Sequence, residues 1–166
     1  MILRSTLPLL LLAGPAAAET RDVSDTGFTS EHRLVIAAPP AKVWETLVRP
    51  GLWWEGGHTY SGDAANLTLD AHPGGCWCEK TARGGVEHMR IVYVASGEML
   101  RMTGGLGPLQ AQPVAGVMTI TLAPAGTGTA FIARYSVAGA GLGDVAAPVD
   151  KVLGVQWPRL KAAAER

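Results

Sequence analysis

The chain has 166 residues, of which 48% are apolar, with 14 Lys and Arg against 14 Asp and Glu and a formal net charge of zero at pH 7. That length suits one domain able to bury a core of its own. Without a basic stripe or a charged block, the charge pattern argues against nucleic acid and anionic lipid as partners.

Residues 1–18, MILRSTLPLLLLAGPAAA, run from a lone Arg4 through an apolar stretch around Leu7 to Leu12 into Gly14-Pro15 and the small triplet Ala16-Ala17-Ala18. This order predicts a secretory signal peptide cleaved after Ala18, because the apolar stretch falls well short of the roughly 20 residues a spanning helix needs. Export across the inner membrane implies an oxidising compartment, the periplasm, where disulfides persist. Removing Arg4 with the leader leaves 13 Lys and Arg against 14 Asp and Glu, and no membrane insertion of the mature chain is expected. Residues 19–27, polar and small from Thr20 to Thr26, read as a flexible lead-in. Residues 28–166 then form a single domain, undivided by any repeat or change of composition.

Phe28 to Ala38 predicts a strand ended by Pro39-Pro40, which cannot extend a ladder. PAKVWETLV predicts a helix with proline in its first turn and Val43, Trp44 and Leu47 on one face. Leu52-Trp53-Trp54 fits a second short helix or turn before Gly56-Gly57. Short extended runs follow at Leu67 to Ala71, Cys76 to Thr81, Val86 to Ala95, Leu100 to Thr103, Val114 to Leu122 and Thr129 to Val137. Turn residues separate them, as in an antiparallel meander. In the Val114 run, Gly116, Met118, Ile120 and Leu122 alternate with more polar neighbours. The C-terminal segment places Val145, Val149, Val152, Leu153, Gln156 and Leu160 along one side of a helix. Asp144 is the expected N-cap, and Pro158 is expected to kink the helix. This order describes an α+β fold in which a curved antiparallel sheet wraps around the last helix and leaves a pocket between them.

APPAKVWETLVRPGLWW, the Pro73-Gly74-Gly75 turn, the run VEHMRIVYVASGEMLRMTGGLGPLQ and the strand ending at Gly139 resemble SRPBCC (START-like, pollen-allergen-like) proteins. The branch is the one related to heat-shock-chaperone ATPase-activator homologues, and the likeness spans roughly residues 28 to 162. It implies a helix-grip fold of about seven strands holding the C-terminal helix over a cavity. Such a scaffold hosts carriers, receptors, cyclases and cochaperones, so the fold does not choose among them. A cytosolic cochaperone role is at odds with an export signal. The sequence also departs from the family pattern in carrying Cys76 and Cys78 after the Gly-Gly turn.

Those cysteines could be a disulfide, packed thiols, a redox pair or part of a metal set with His72 and His88. On a regular strand both point to one face, with Trp77 and Glu79 on the other, and their Cβ atoms stand about 6–7 Å apart. A disulfide therefore requires a bulge, which Gly74-Gly75 makes accessible. The spacing His72-x3-Cys76-x-Cys78-x9-His88 matches no zinc signature, and a C-x-C on a strand lacks the helix N-terminus that activates redox cysteines. Glu79, His88 and Arg90 come within cross-strand reach if the Cys76 and Val86 runs pair. Strand parity puts His88 with Arg90, Val92 and Val94, away from the more apolar face of Met89, Ile91 and Tyr93, which favours a solvated ladder over an acid–base pair.

The expected ligand contacts are Trp53, Trp54, Trp77, Glu79, Tyr93, Met118, Leu153, Gln156 and Trp157, an aromatic wall with a buried amide in an apolar helix stripe. Gly104 to Gln110 leads into a strand and not a helix, so it reads as a wide hairpin connection over the cavity and not as a phosphate loop. The preferred function is binding of a small apolar or amphipathic molecule without a cofactor or covalent catalysis. An enzyme using Glu79 and His88 as acid and base is the alternative, and a protein-interaction module the third.

Overall fold

Alternation decides the strands. In β7 (Ala115–Ala125), Gly116, Met118, Ile120 and Leu122 are buried while their neighbours face outward. β8 (Gly128–Ala138) does the same with Phe131, Ala133, Tyr135 and Val137, so the two strands offer one apolar face between them. The remaining strands are β1 (Ala17–Ser24), β2 (Gly27–Ile36), β3 (Leu67–Leu69), β4 (Cys76–Thr81), β5 (Gly84–Ala95) and β6 (Met99–Thr103). The helices are α1 (Pro40–Leu47) and α2 (Ala146–Ala164). The computed structural model describes residues 17–166. Apart from Ala17 and Ala18, the expected leader lies outside the described residues.

All eight strands join one antiparallel sheet in the order β1-β2-β8-β7-β6-β5-β4-β3. β3 to β8 form a meander that returns to β2, with Phe28 opposite Val137 and Ile36 opposite Thr129. The sheet grips α2, which packs on β2, β1 and α1. Trp157, Leu160 and Leu153 enter the core from α2.

Several sequence expectations change here. Against about seven strands expected, the sheet has eight among the described residues, because residues expected as a flexible lead-in pair with β2 at the edge, Thr20 opposite Ser30 and Arg21 opposite Thr29. An edge strand needs only backbone partners, so its polar sequence gave no period to read. Asp144 does not cap α2. Val145 occupies that position without a side-chain cap, and α2 continues through Pro158 to Ala164 with Trp157 and Leu160 buried on either side of the proline. The start of α2 is tied down by side chains instead. Ser30 Oγ donates to Asp150 Oδ1 at 2.6 Å, and His32 Nε2 lies 3.1 Å from both Asp150 Oδ1 and Ser30 Oγ.

Candidate ligand cavity

On β4, parity carries Trp77 and Glu79 inward, each 2% exposed, and leaves Cys76 and Cys78 on the opposite face. The two cysteines form a disulfide with Cα atoms 5.4 Å apart, closer than the roughly 6.5 Å of a fully extended pair. The ladder beside the disulfide is bulged, but the extra residue lies on the partner strand β5 and not on the cysteine strand as expected. Trp77 faces Met89 and Cys78 faces Glu87, so His88 on β5 has no opposite residue. That extra residue reverses the side-chain alternation, and His88 and Met89 are both buried.

The bulge separates groups that parity had placed together. His88 enters the protein, while Arg90 stays outside, donating to Gly74 O at 3.0 Å and pairing with Glu87. A second irregularity between Ile91 and Tyr93 leaves Tyr93 46% exposed, with the Arg101 guanidinium 5.9 Å from its ring centre. The expected outward ladder of His88 and Arg90 is thus corrected, as is the inward placement of Tyr93.

A cavity of about 470 Å³ lies against β3, β4 and β5 and the first turns of α2. Leu67, Trp77 and His88 line it from the sheet, and Pro148, Val149, Val152 and Leu153 from the helix. Trp54, His58, Thr59 and Tyr60 close it on the side of the turns after α1, and Leu106, Gly107 and Pro108 cross it from the loop between β6 and β7. The Trp54 and Trp77 rings meet edge to face with centroids 4.8 Å apart, an arrangement that suits opposed ring quadrupoles.

Beside Thr59 and Tyr60, two histidines give this wall its titratable groups, each backed by a carboxylate. His88 Nε2 donates to Glu79 Oε2 at 2.9 Å. Glu79 also accepts from Tyr60 N at 3.1 Å and from Ser61 N. Burial alone would raise the Glu79 carboxyl, but hydrogen bonds from Ser61, Tyr60 and His88 hold it below the usual carboxylate range. His58 Nδ1 lies 2.6 Å from Glu55 Oε2, and Gln156 fixes that turn by accepting from Glu55 N at 2.8 Å. The second ring nitrogen of each histidine has no protein partner among the described residues.

The first part of the loop over the cavity is latched by two tyrosines. Tyr135 Oη donates to Gly104 O at 2.9 Å and accepts from Leu106 N at 3.1 Å, and burial pushes its hydroxyl up to about 12 despite the Leu106 bond. Tyr60 Oη donates to Gly107 O at 3.0 Å. Gly116 permits the close crossing, since a Cβ there would stand 2.2 Å from Gly104 O and 2.8 Å from Tyr135 Oη.

Of the residues expected to touch a ligand, Trp54, Trp77 and Leu153 line the cavity. Trp53 and Trp157 do not; they stack behind it with centroids 5.7 Å apart. Met118 is fully buried in β7, and Gln156 is satisfied by the 55–58 turn, so neither reaches the cavity. Glu79 stands behind His88. The metal alternative is dispersed: both sulfurs are in the disulfide, and His72 is at the surface, 2.8 Å from Asp70. His58, Thr59 and Tyr60 carried no periodic signal. Pro148, Val149 and Val152 were visible only as an apolar helix face.

A family model described as "Activator of Hsp90 ATPase homolog 1-like protein" matches residues 37–165. Among solved structures, a Mesorhizobium loti protein aligns at 19% identity with a TM-score of 0.64, covering 83% of this chain and 97% of its own. A conserved protein of unknown function from Enterococcus faecalis aligns at 16% identity and TM-score 0.63, covering 89% and 77%. CalU16 from Micromonospora echinospora aligns at 14% identity and TM-score 0.61, covering 90% and 85%. These likenesses establish the fold. No curated protein matches the chain.

Proposed function

Because the chain belongs to the Activator of Hsp90 ATPase homolog 1-like family, a branch of the SRPBCC helix-grip proteins, we propose that it is an exported binding protein for one small, largely apolar molecule. The guest occupies the space between the sheet and α2. The observation that carries this reading is the cavity of about 470 Å³ with an aromatic and aliphatic wall. That volume lies in the usual range of ligand sites, and a few placed polar groups in an apolar wall fix orientation. The leader-like N-terminus and the disulfide support export. Cleavage after Ala18 leaves Glu19 to Ser24, which are enough to keep the pairing of β1 with β2. Activation of a cytosolic chaperone forms no part of the proposal, since an exported chain would not meet it.

Native mass spectrometry of protein recovered from the periplasm tests both halves of the proposal. The expected result is a chain beginning at Glu19 that carries an additional small-molecule mass, released on denaturation. A clean apo mass that takes up nothing from a library of lipids and aromatic compounds would overturn the binding reading.

One observation favours a second reading. His88 has its Nε2 held by Glu79 and lines the cavity, the arrangement of an imidazole oriented for proton transfer. An enzyme of this kind would change the mass or isomeric form of a captured guest over time, and His88→Ala would stop it. An unchanged guest excludes the catalytic reading for that molecule and leaves binding in place.

A further inference from the structure

The electrostatic sign of the cavity narrows its ligand. Besides the hydroxyls of Thr59 and Tyr60, which donate to Gly56 O and Gly107 O, the polar side chains of its wall are two imidazoles, each with one ring nitrogen against a glutamate, Glu79 at 2.9 Å and Glu55 at 2.6 Å. His88 is only 7% exposed, and its Nδ1 has no protein partner among the described residues. In a neutral ring the nitrogen opposite the committed N–H is an acceptor, so each ring offers an acceptor to a guest with a carboxylate behind it.

No lysine or arginine is among the residues lining this cavity. Lys80 and Arg83 line a separate recess on the far side of Tyr60. Glu79 is buried and satisfied by two backbone N–H groups and one imidazole, so no protein cation balances it. Three of the lining residues, Trp54, Tyr60 and Trp77, are aromatic, and aromatic faces attract cations.

Resting on the reading of this space as a binding site, we propose that its ligand is a hydrophobic amine: a protonated nitrogen or a strong N–H donor held by His88 and His58 against the aromatic wall. Its apolar body lies along Leu67, Val152 and Leu153. The proposal disfavours fatty acids and other carboxylates, whose charge would meet two glutamates without a compensating cation.

Calorimetric titration of the full exported chain at about pH 8 tests this with three probes that share one ring system: naphthylmethylamine, naphthylmethanol and naphthoate. The amine should bind about tenfold tighter than the alcohol or the carboxylate. Glu55→Gln, at a half-exposed position, and Glu79→Gln should each shrink that preference, and the first keeps the test decisive if the second does not fold. A carboxylate or alcohol that binds as tightly as the amine overturns the amine proposal and leaves cavity binding standing. An amine preference that Glu55→Gln leaves unchanged also overturns it. Failure of all three probes to bind overturns the amine proposal, while the binding reading stands or falls on the native mass measurement.

Discussion

Glu79 accepts from Ser61 N, Tyr60 N and His88 Nε2, which is more than one amide oxygen in its place can satisfy. Glu79→Gln therefore turns an NH2 group toward at least one of these donors and leaves a buried N–H without an acceptor. The expected cost is about 1–3 kcal/mol, read as a lower denaturation midpoint at pH 7 with an unchanged slope. A variant as stable as the parent would show that the carboxylate does not organise the 60–61 turn. Because the folded carboxyl titrates below its ordinary value, its contribution is complete above about pH 4.3 and fades as pH falls through the folded value. The tryptophans divide in a similar way. Trp53 Nε1 donates to Leu47 O at 3.3 Å and Trp54 Nε1 to His58 O at 2.9 Å. Trp77 and Trp157 enclose indole N–H groups without partners, a desolvation cost offset by burial of large rings.

At the scale of elements, the pairing of β4 with β5 sets the chemistry of the cavity. The disulfide closes a very short loop, so its contribution through the unfolded state is small, about 1.5 kcal/mol by loop-closure entropy. Its position matters more than its energy, since Trp77 sits between its cysteines and the bulged His88 lies across the ladder. Replacing both cysteines by serine should lower Tm by only about 3–6 °C. The same change should weaken ligand binding markedly, because β4 is freed to take the regular register that turns His88 outward. Unaltered affinity in the serine variant, measured by calorimetry, would show that the bulge stands without the disulfide.

For the molecule as a whole, the anchoring of α2 on β2 links stability to pH. Burial pushes His32 below its ordinary value, and the nearby Asp150 only partly opposes this. The unfolded chain then takes up a proton that the folded chain refuses, so the contribution is complete above about pH 6.5 and is lost as pH falls below it toward the folded value. Thermal melts between about pH 7.5 and 5.5 should show a decline that His32→Gln flattens. A decline of equal steepness in that variant would assign the effect elsewhere. His72, raised by the Pro73 carbonyl and Asp70, acts with the opposite sign, but it is solvent-exposed and contributes little.

Short-range pattern was enough for much of this architecture. The bounds of β4 were readable from Cys76 to Thr81, as were the alternation of β7 and the apolar face of α2, because each rests on a local period matched to one buried side. Edge strand β1 was not readable, since its partner is the backbone of β2 and not a core. Strand geometry pointed to a bulge on the cysteine strand, and the extra residue lies on β5 instead. Two residues oppose one only after β4 and β5 are paired, so parity counted along β5 alone put His88 on the wrong face and Tyr93 with the core. The same holds for His58, which reaches the cavity through a polar turn held by Gln156 of a distant helix. Sequence by itself determined the layers and their buried faces, which depend on spacing within a strand or helix. Tertiary structure decided which imidazoles face the cavity, because register and long-range hydrogen bonds exist only between segments that the chain keeps far apart.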